Sequence, residues 1–182
     1  MALHVEHLPV DEFDRFIQLP ENADKLFEYI GGEIVEVVSN NYSSEVAALI
    51  LMFIGLFVRQ HNMGRVTGAD GGYRVSGERY IPDVAFISKL KQPNPSREAY
   101  NPNPPDLAVE VLSPSDDDDD VRIKLVNYLL AGTMVWIMNV DKRQIQVYVP
   151  GAAPKTFSTD DTLDGGEVLP GFKLPVKEIF PE

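Results

Sequence analysis

No cysteine occurs in the 182 residues. A disulfide framework and a thiolate metal site are therefore both excluded. Histidine is almost as scarce. His4, His7 and His61 are neither clustered nor at ligand spacing, which argues against an imidazole-held zinc. Basic residues are few and scattered: 16 Lys and Arg stand against 28 Asp and Glu, for a formal charge of −12. Proteins that grip nucleic acid chiefly through its phosphates carry a basic stripe. Tight, non-specific DNA binding is thus disfavoured. A phosphodiesterase is not, because a divalent-metal site is itself built from carboxylates. Long hydrophobic runs are also missing. The most apolar stretch, "VAALILMFIGLFV" at Val46–Val58, falls short of the roughly 20 residues that cross a bilayer. It reads as a buried helix, and no membrane partner is expected. The start "MALHVEHLPV" lacks the basic and apolar segments of a secretion signal, so the cytoplasm is the expected location.

What is present is a globular composition, 44% apolar and 24% charged, in a length suited to one domain spanning 1–182. Phe13, Phe16 and Ile17 lie at helical spacing within Val10–Leu19. "LFEYIGGEIVEVV" holds two β-rich runs around Gly31-Gly32, a two-residue hairpin signal. Ser43–His61 is expected as a long helix, with Gly64 beyond it as the cap. Strand-like runs follow at Arg65–Thr67, Tyr73–Val75 and Tyr80–Ser88. Lys89–Pro105, with five prolines, is an excursion loop. Then come a strand at Asp106–Leu112, a helix at Asp118–Ala131 closed by Gly132, and a hairpin of Met134–Val140 with Gln144–Tyr148. The tail holds short β pieces. The order indicates an α/β domain with a mixed sheet flanked by helices and an N-terminal β-hairpin.

Two acids stand where acids are costly. "YIPDVAFIS" places Asp83 in an apolar run, and "DLAVEVL" places Glu110 in the middle of a strand apolar on both faces. With a period of two, Leu107, Val109 and Val111 face one side of that strand, while Ala108, Glu110 and Leu112 face the other. An unpaired carboxylate there costs several kcal/mol of desolvation. A divalent cation shared by the two acids satisfies them, and oxygen-only ligands point to Mg²⁺ or Mn²⁺. Bonds from loop backbone or from an arginine such as Arg74 satisfy them equally. Periodicity leaves both open.

The pieces "FEYIGGEIVEV", "SSEVAALILMFIGLFVRQHNMGRVTGADGGYRV", "IPDVAFIS", "DLAVEVLSPSD", the lysine and tyrosine of "IKLVNYLLAG", "VWIMNV" and "LPGFKLPVKEIF" resemble, in order and spacing, the Uma family of restriction endonucleases. That family is a branch of the PD-(D/E)XK nuclease superfamily. The resemblance implies a restriction-endonuclease-like fold, DNA as substrate, and Asp83 and Glu110 around Mg²⁺ or Mn²⁺. The superfamily's usual lysine two residues after the second acid is replaced here by Leu112. The resemblance implies that Lys124, on the following helix, takes its role.

Helix geometry bears on that assignment. Val121, Leu125, Tyr128 and Leu129 define an apolar stripe, and Lys124 lies at its border. Its stem can follow apolar surface while the amine reaches past it. The alternative is an exposed Asp120–Lys124 pair, contributing a few tenths of a kcal/mol. Glu33, after the Gly-Gly turn, matches an acid of the family and is a further candidate for the metal shell; a turn-flanking acid is also simply solvated. Glu45 is expected to open the long helix, Asp70 to serve a turn, and Trp136 to fill the core. The helix at Val46–Val58 is apolar nearly all round, more than one sheet face needs, so a homodimer is expected. The resulting reading is a metal-dependent DNA endonuclease using Asp83, Glu110 and Lys124. Its alternative is a non-catalytic dimeric interaction module on the same fold, which the acidic charge and Leu112 favour.

Overall fold

The computed structural model describes residues 8–114 and 116–180; His4 and His7 lie outside them. Helix α1 covers Val10–Phe16 and packs its buried Phe13 against Tyr29 and Tyr100. Strands β1 (Phe27–Ile30) and β2 (Glu33–Glu36) form the expected hairpin, with Ile30 opposite Glu33. The intervening Gly31 and Gly32 both take positive φ, 59° and 91°, the backbone a two-residue turn of this hand requires. Helix α2 runs over Asn41–Gln60 from an Asn40 cap whose side chain accepts the Ser43 N–H at 2.9 Å.

Next come β3 (Gly64–Thr67), β4 (Gly72–Val75), β5 (Glu78–Tyr80) and β6 (Val84–Ser88). Short β7 (Tyr100–Asn101) interrupts the proline-rich excursion. Then β8 (Leu107–Leu112) leads into α3 (Asp118–Leu130). Strands β9 (Met134–Asn139), β10 (Gln144–Tyr148), β11 (Lys155–Phe157), β12 (Thr162–Asp164) and β13 (Lys173–Pro175) complete the chain.

The strands make two principal sheets. One has the order β2-β1-β5-β4-β7; the other runs β11-β10-β9-β8-β6-β3. The second is mixed, with β8 and β9 parallel and joined through α3. The period-of-two reading of β8 holds. Leu107, Val109 and Val111 join Val46, Ile50 and Ile54 of α2 in the larger core. Ala108 packs on the opposite face with Val135, Tyr73, Tyr80 and Tyr128. The six-stranded sheet is thus covered by α2 on one face, and by α3 and the smaller sheet on the other.

Three expectations are corrected. The run Tyr80–Ser88 is not one strand. It breaks at Ile81–Asp83, where the chain leaves the smaller sheet and enters the larger. Pro82, which lacks an N–H for a ladder, sits in that break. Gly64 is not the cap of α2. The chain turns at Asn62, with φ 54°, and Gly64 opens β3, where a Cβ would lie 2.1 Å from the Ile87 carbonyl oxygen. Glu45 does not open α2, because the helix starts at Asn41 and has no acid in its first turn. The helix is also longer than its most apolar run. By length and composition its 20 residues could cross a membrane, yet its inner face packs on the sheet through Val46, Ala47, Ile50, Ile54 and Val58.

Candidate active site

The break at Ile81–Asp83 and the end of β8 meet beside α3. Continuing the register Val84↔Val109 by one residue sets Asp83 opposite Glu110. Asp83 Oδ2 accepts the Val111 N–H at 2.7 Å, which ties the break to β8. Glu110 projects toward α3. Its Oε2 lies 2.9 Å from Lys124 Nζ, and its Oε1 accepts the Tyr128 hydroxyl at 3.0 Å. Lys124 and Tyr128 are four residues apart and so share one helix face. They are the two buried residues of α3, at 8% and 0% exposure. Lys124 is therefore at the centre of the packed face, not at its border. No exposed Asp120–Lys124 pair forms in its place.

A third carboxylate enters from the other sheet. Glu28 of β1 meets Lys124 Nζ at 2.9 Å through Oε1 and at 3.2 Å through Oε2. Its Oε1 also accepts the Ile81 N–H at 2.6 Å. Glu28 thus fastens the connector two residues before Asp83. The ammonium lies 5.7 Å from the centre of the Tyr80 ring, close enough for a cation–π contribution. Tyr80 in turn accepts a hydrogen bond from the Asn127 amide at 2.7 Å.

Glu28, Asp83, Glu110, Lys124 and Tyr128 line a cavity of about 350 Å³ that also carries Asp116, Asp117 and Asp120 on its wall. Charge balance there is unfavourable to the acids. Burial pushes the Asp83 carboxyl up to about 6, against the Val111 hydrogen bond and the attraction of Lys124. Burial likewise pushes the Glu110 carboxyl up; Lys124 opposes this, while Glu28 and Asp83 add to it. Burial acts to lower the Lys124 amine, but Glu110 and Glu28 outweigh it and hold the amine above its ordinary value. The cluster is a fixed cation among carboxylates that lack positive charge.

The donor set suits a hard cation. Asp83 and Glu110 offer oxygen only, adjacent to open space. Among the described residues no three His, Cys, Asp or Glu side chains converge as a ready cage. Mg²⁺ needs none, since it keeps several waters and takes one or two carboxylates plus substrate oxygens.

A family model described as "Putative restriction endonuclease", Uma2, matches residues 13–177. The chain belongs to the Uma2 family. A crystal structure titled as a putative nuclease of DUF820 from Anabaena variabilis superposes with a TM-score of 0.80 over 92% of this chain and 96% of that one, at 22% identity. At that identity the likeness concerns the fold alone, a mixed α/β architecture. No curated relative matches the chain.

For a Uma2 chain without lysine at position 112, the meeting of Lys124 with Glu110 matters most. Other candidates from the sequence lie elsewhere. Glu33 is exposed beside the hairpin turn, where it helps raise the Asp120 carboxyl, itself raised first by burial and Asp117. Arg74 pairs with Glu98 at 2.8 Å, not with either acid. Asp70 and Glu45 are exposed, His61 stacks on Phe57 at the end of α2, and Trp136 is fully buried.

Sequence reasoning missed Glu28. The signal was present, because "FEYI" is buried at all four positions and an acid in such a strand needs a partner. The Gly-Gly turn marks Glu33, which is exposed, whereas the buried acid of the hairpin is Glu28. Periodicity puts Tyr128 on the apolar stripe and the resemblance includes it, but neither signals the bond of its hydroxyl to Glu110.

Proposed function

We propose that the protein is a Mg²⁺- or Mn²⁺-dependent endonuclease that hydrolyses DNA phosphodiesters, with Asp83 and Glu110 as metal ligands and Lys124 as a catalytic cation. The observation that carries the reading is the 2.9 Å contact of the helix-borne Lys124 with Glu110, opposite Asp83 in strand register. A divalent cation bound there would supply Lewis-acid charge to the scissile phosphate and acidify a bound water.

The remaining steps belong to the chain. Asp83, in the connector just before β6, and Glu110, on the neighbouring β8, fix the geometry. Tyr128 orients Glu110 by donating to its Oε1. Lys124 is held charged by its acidic partners, which makes it a poor proton acceptor at neutral pH. Its role is to orient the attacking water and stabilise the charge that develops on the phosphoryl oxygens.

The test combines cleavage with calorimetry. Lys124→Met keeps the aliphatic stem, so it should still bind Mg²⁺ and lose DNA cleavage by roughly 10²- to 10³-fold, the effect of removing one preorganised charge-stabilising group. Glu110→Gln should lose both. The second reading, a non-catalytic dimeric module, is favoured by the charge of −12 and by Met52 and Leu56, each more than half exposed on α2. Under it, light scattering reports a dimer, and the wild-type protein neither binds Mg²⁺ nor cleaves.

A further inference from the structure

Glu110 has no idle oxygen. One is taken by Tyr128 and the other by Lys124. Each oxygen keeps a further lone pair, and a cation that engages Oε2 shares that oxygen with an ammonium already seated there. Two like charges on one carboxylate oxygen repel, and the ammonium needs another anion to stay. The structure provides one. Glu28 contacts Nζ through both of its oxygens, at 2.9 and 3.2 Å. It is 6% exposed. It comes from β1 of the smaller sheet, not from the strand that carries Glu110. It also accepts the Ile81 N–H, which fixes its own carboxylate and the connector carrying Asp83.

We propose that Glu28 is a positioning residue: it retains the Lys124 ammonium beside Glu110 when a divalent cation engages Glu110, and is not itself a ligand of that cation. The proposal rests on the metal-dependent reading above and adds a division of labour among the three acids. Asp83 and Glu110 face the substrate side, while Glu28 serves the lysine. Supporting groups of this kind typically change metal affinity or activity by about 10- to 100-fold when altered.

Glu28→Gln is the informative variant. It keeps an oxygen for the Ile81 N–H and removes the charge that holds Lys124. The readout is the side-chain ammonium signal of Lys124 in protein labelled with ¹⁵Nζ-lysine, followed during a Mg²⁺ titration. A buried, ion-paired ammonium exchanges slowly enough to be seen; a released one does not. In wild-type protein Mg²⁺ should shift the Lys124 signal without erasing it. In Glu28→Gln the signal should be present without Mg²⁺, held by Glu110, and vanish as Mg²⁺ is added. Calorimetry should show that Glu28→Gln still binds Mg²⁺, whereas Glu110→Gln does not. Cleavage by Glu28→Gln should fall roughly 10- to 100-fold in kcat with KM little changed. A backbone amide spectrum matching the wild type establishes that the variant is folded.

Two outcomes overturn the proposal alone. Loss of Mg²⁺ binding in Glu28→Gln, as in Glu110→Gln, makes Glu28 a ligand. A Lys124 signal that survives Mg²⁺ in Glu28→Gln shows that Glu28 retains nothing. A wild-type protein whose Lys124 signal and heat of mixing ignore Mg²⁺ overturns the metal reading, and this proposal with it.

Discussion

At the residue scale the site is a problem of charge. Asp83 carries a carboxyl raised from 3.8 to about 6, chiefly by burial. The sign of the linkage follows. The folded state binds this proton more tightly than the unfolded state, so the group costs nothing below pH 3.8. The cost grows between 3.8 and about 6 and is complete above. Asp83→Asn can still accept the Val111 N–H and removes the cost. Without divalent metal it should stabilise the protein at pH 7 by up to ~3 kcal/mol, and by almost nothing near pH 3. Thermal melts across that range would check it. An equal melting temperature for the two proteins at pH 7 would mean that Asp83 is well compensated. If Asp83 is a metal ligand, millimolar Mg²⁺ should narrow the gap, because only the wild type then gains stability from the cation.

The same scale explains what could be read in advance. Asp83 and Glu110 were visible because single acids interrupt apolar runs. Lys124 depended on a family resemblance, since helix periodicity alone placed it at the edge of the apolar stripe. Its inward position is set by two acids distant in sequence, and hydrophobic spacing carries no information about such a pairing.

At the element scale, β8 and α3 form the working unit. The strand presents Glu110, and the helix returns Lys124 and Tyr128 to it. The hairpin β1–β2, helix α2, β8 and α3 were all legible, because Gly-Gly turns, apolar periodicity and caps are local signals. The split of Tyr80–Ser88 between two sheets was not. Only tertiary pairing decides that Glu78–Tyr80 ladders with β1 and β4 while Val84–Ser88 ladders with β3 and β8.

The aspartate run looked like a solvated helix start, and it is one. Asp117 caps α3 by accepting the Asp119 N–H at 2.8 Å and the Asp120 N–H at 3.4 Å. Asp118–Asp120 then lie in the first turn, where negative charge favours the helix dipole. Asp117→Ala should therefore cost about 0.5–2 kcal/mol. It should leave the Mg²⁺-induced rise in melting temperature intact, since Asp117 serves the helix that carries Lys124 and not the cation. Loss of that rise in the variant would instead place Asp117 in the metal shell.

At the scale of the whole molecule, the charge of −12 must be reconciled with a polyanionic substrate. The cavity wall is acidic, with Asp116, Asp117 and Asp120 beside Glu28, Asp83 and Glu110. Several cations are already engaged by protein groups: Arg79 with Asp14, Lys91 with Asp106, Arg74 with Glu98, and Arg65 with the carbonyls of Gln92 and Pro93. Under the proposed metal-dependent reading, attraction between protein and DNA would therefore fall largely to a divalent cation held by Asp83 and Glu110. This fixes how binding should respond to salt. Each phosphate neutralised by Lys or Arg contributes about −0.9 to the slope of log K against log salt on duplex DNA. A protein with a basic face making 6–10 such contacts shows a slope near −5 to −9. Here the slope should be no steeper than about −2. To prevent turnover during the measurement, Lys124→Met can be used with Mg²⁺ present and fluorescence anisotropy of a labelled duplex as the readout. Chelation by EDTA should abolish binding. A steep slope, or binding that persists in EDTA, would mean that a basic surface of the folded protein holds the DNA and that the metal is not the principal bridge.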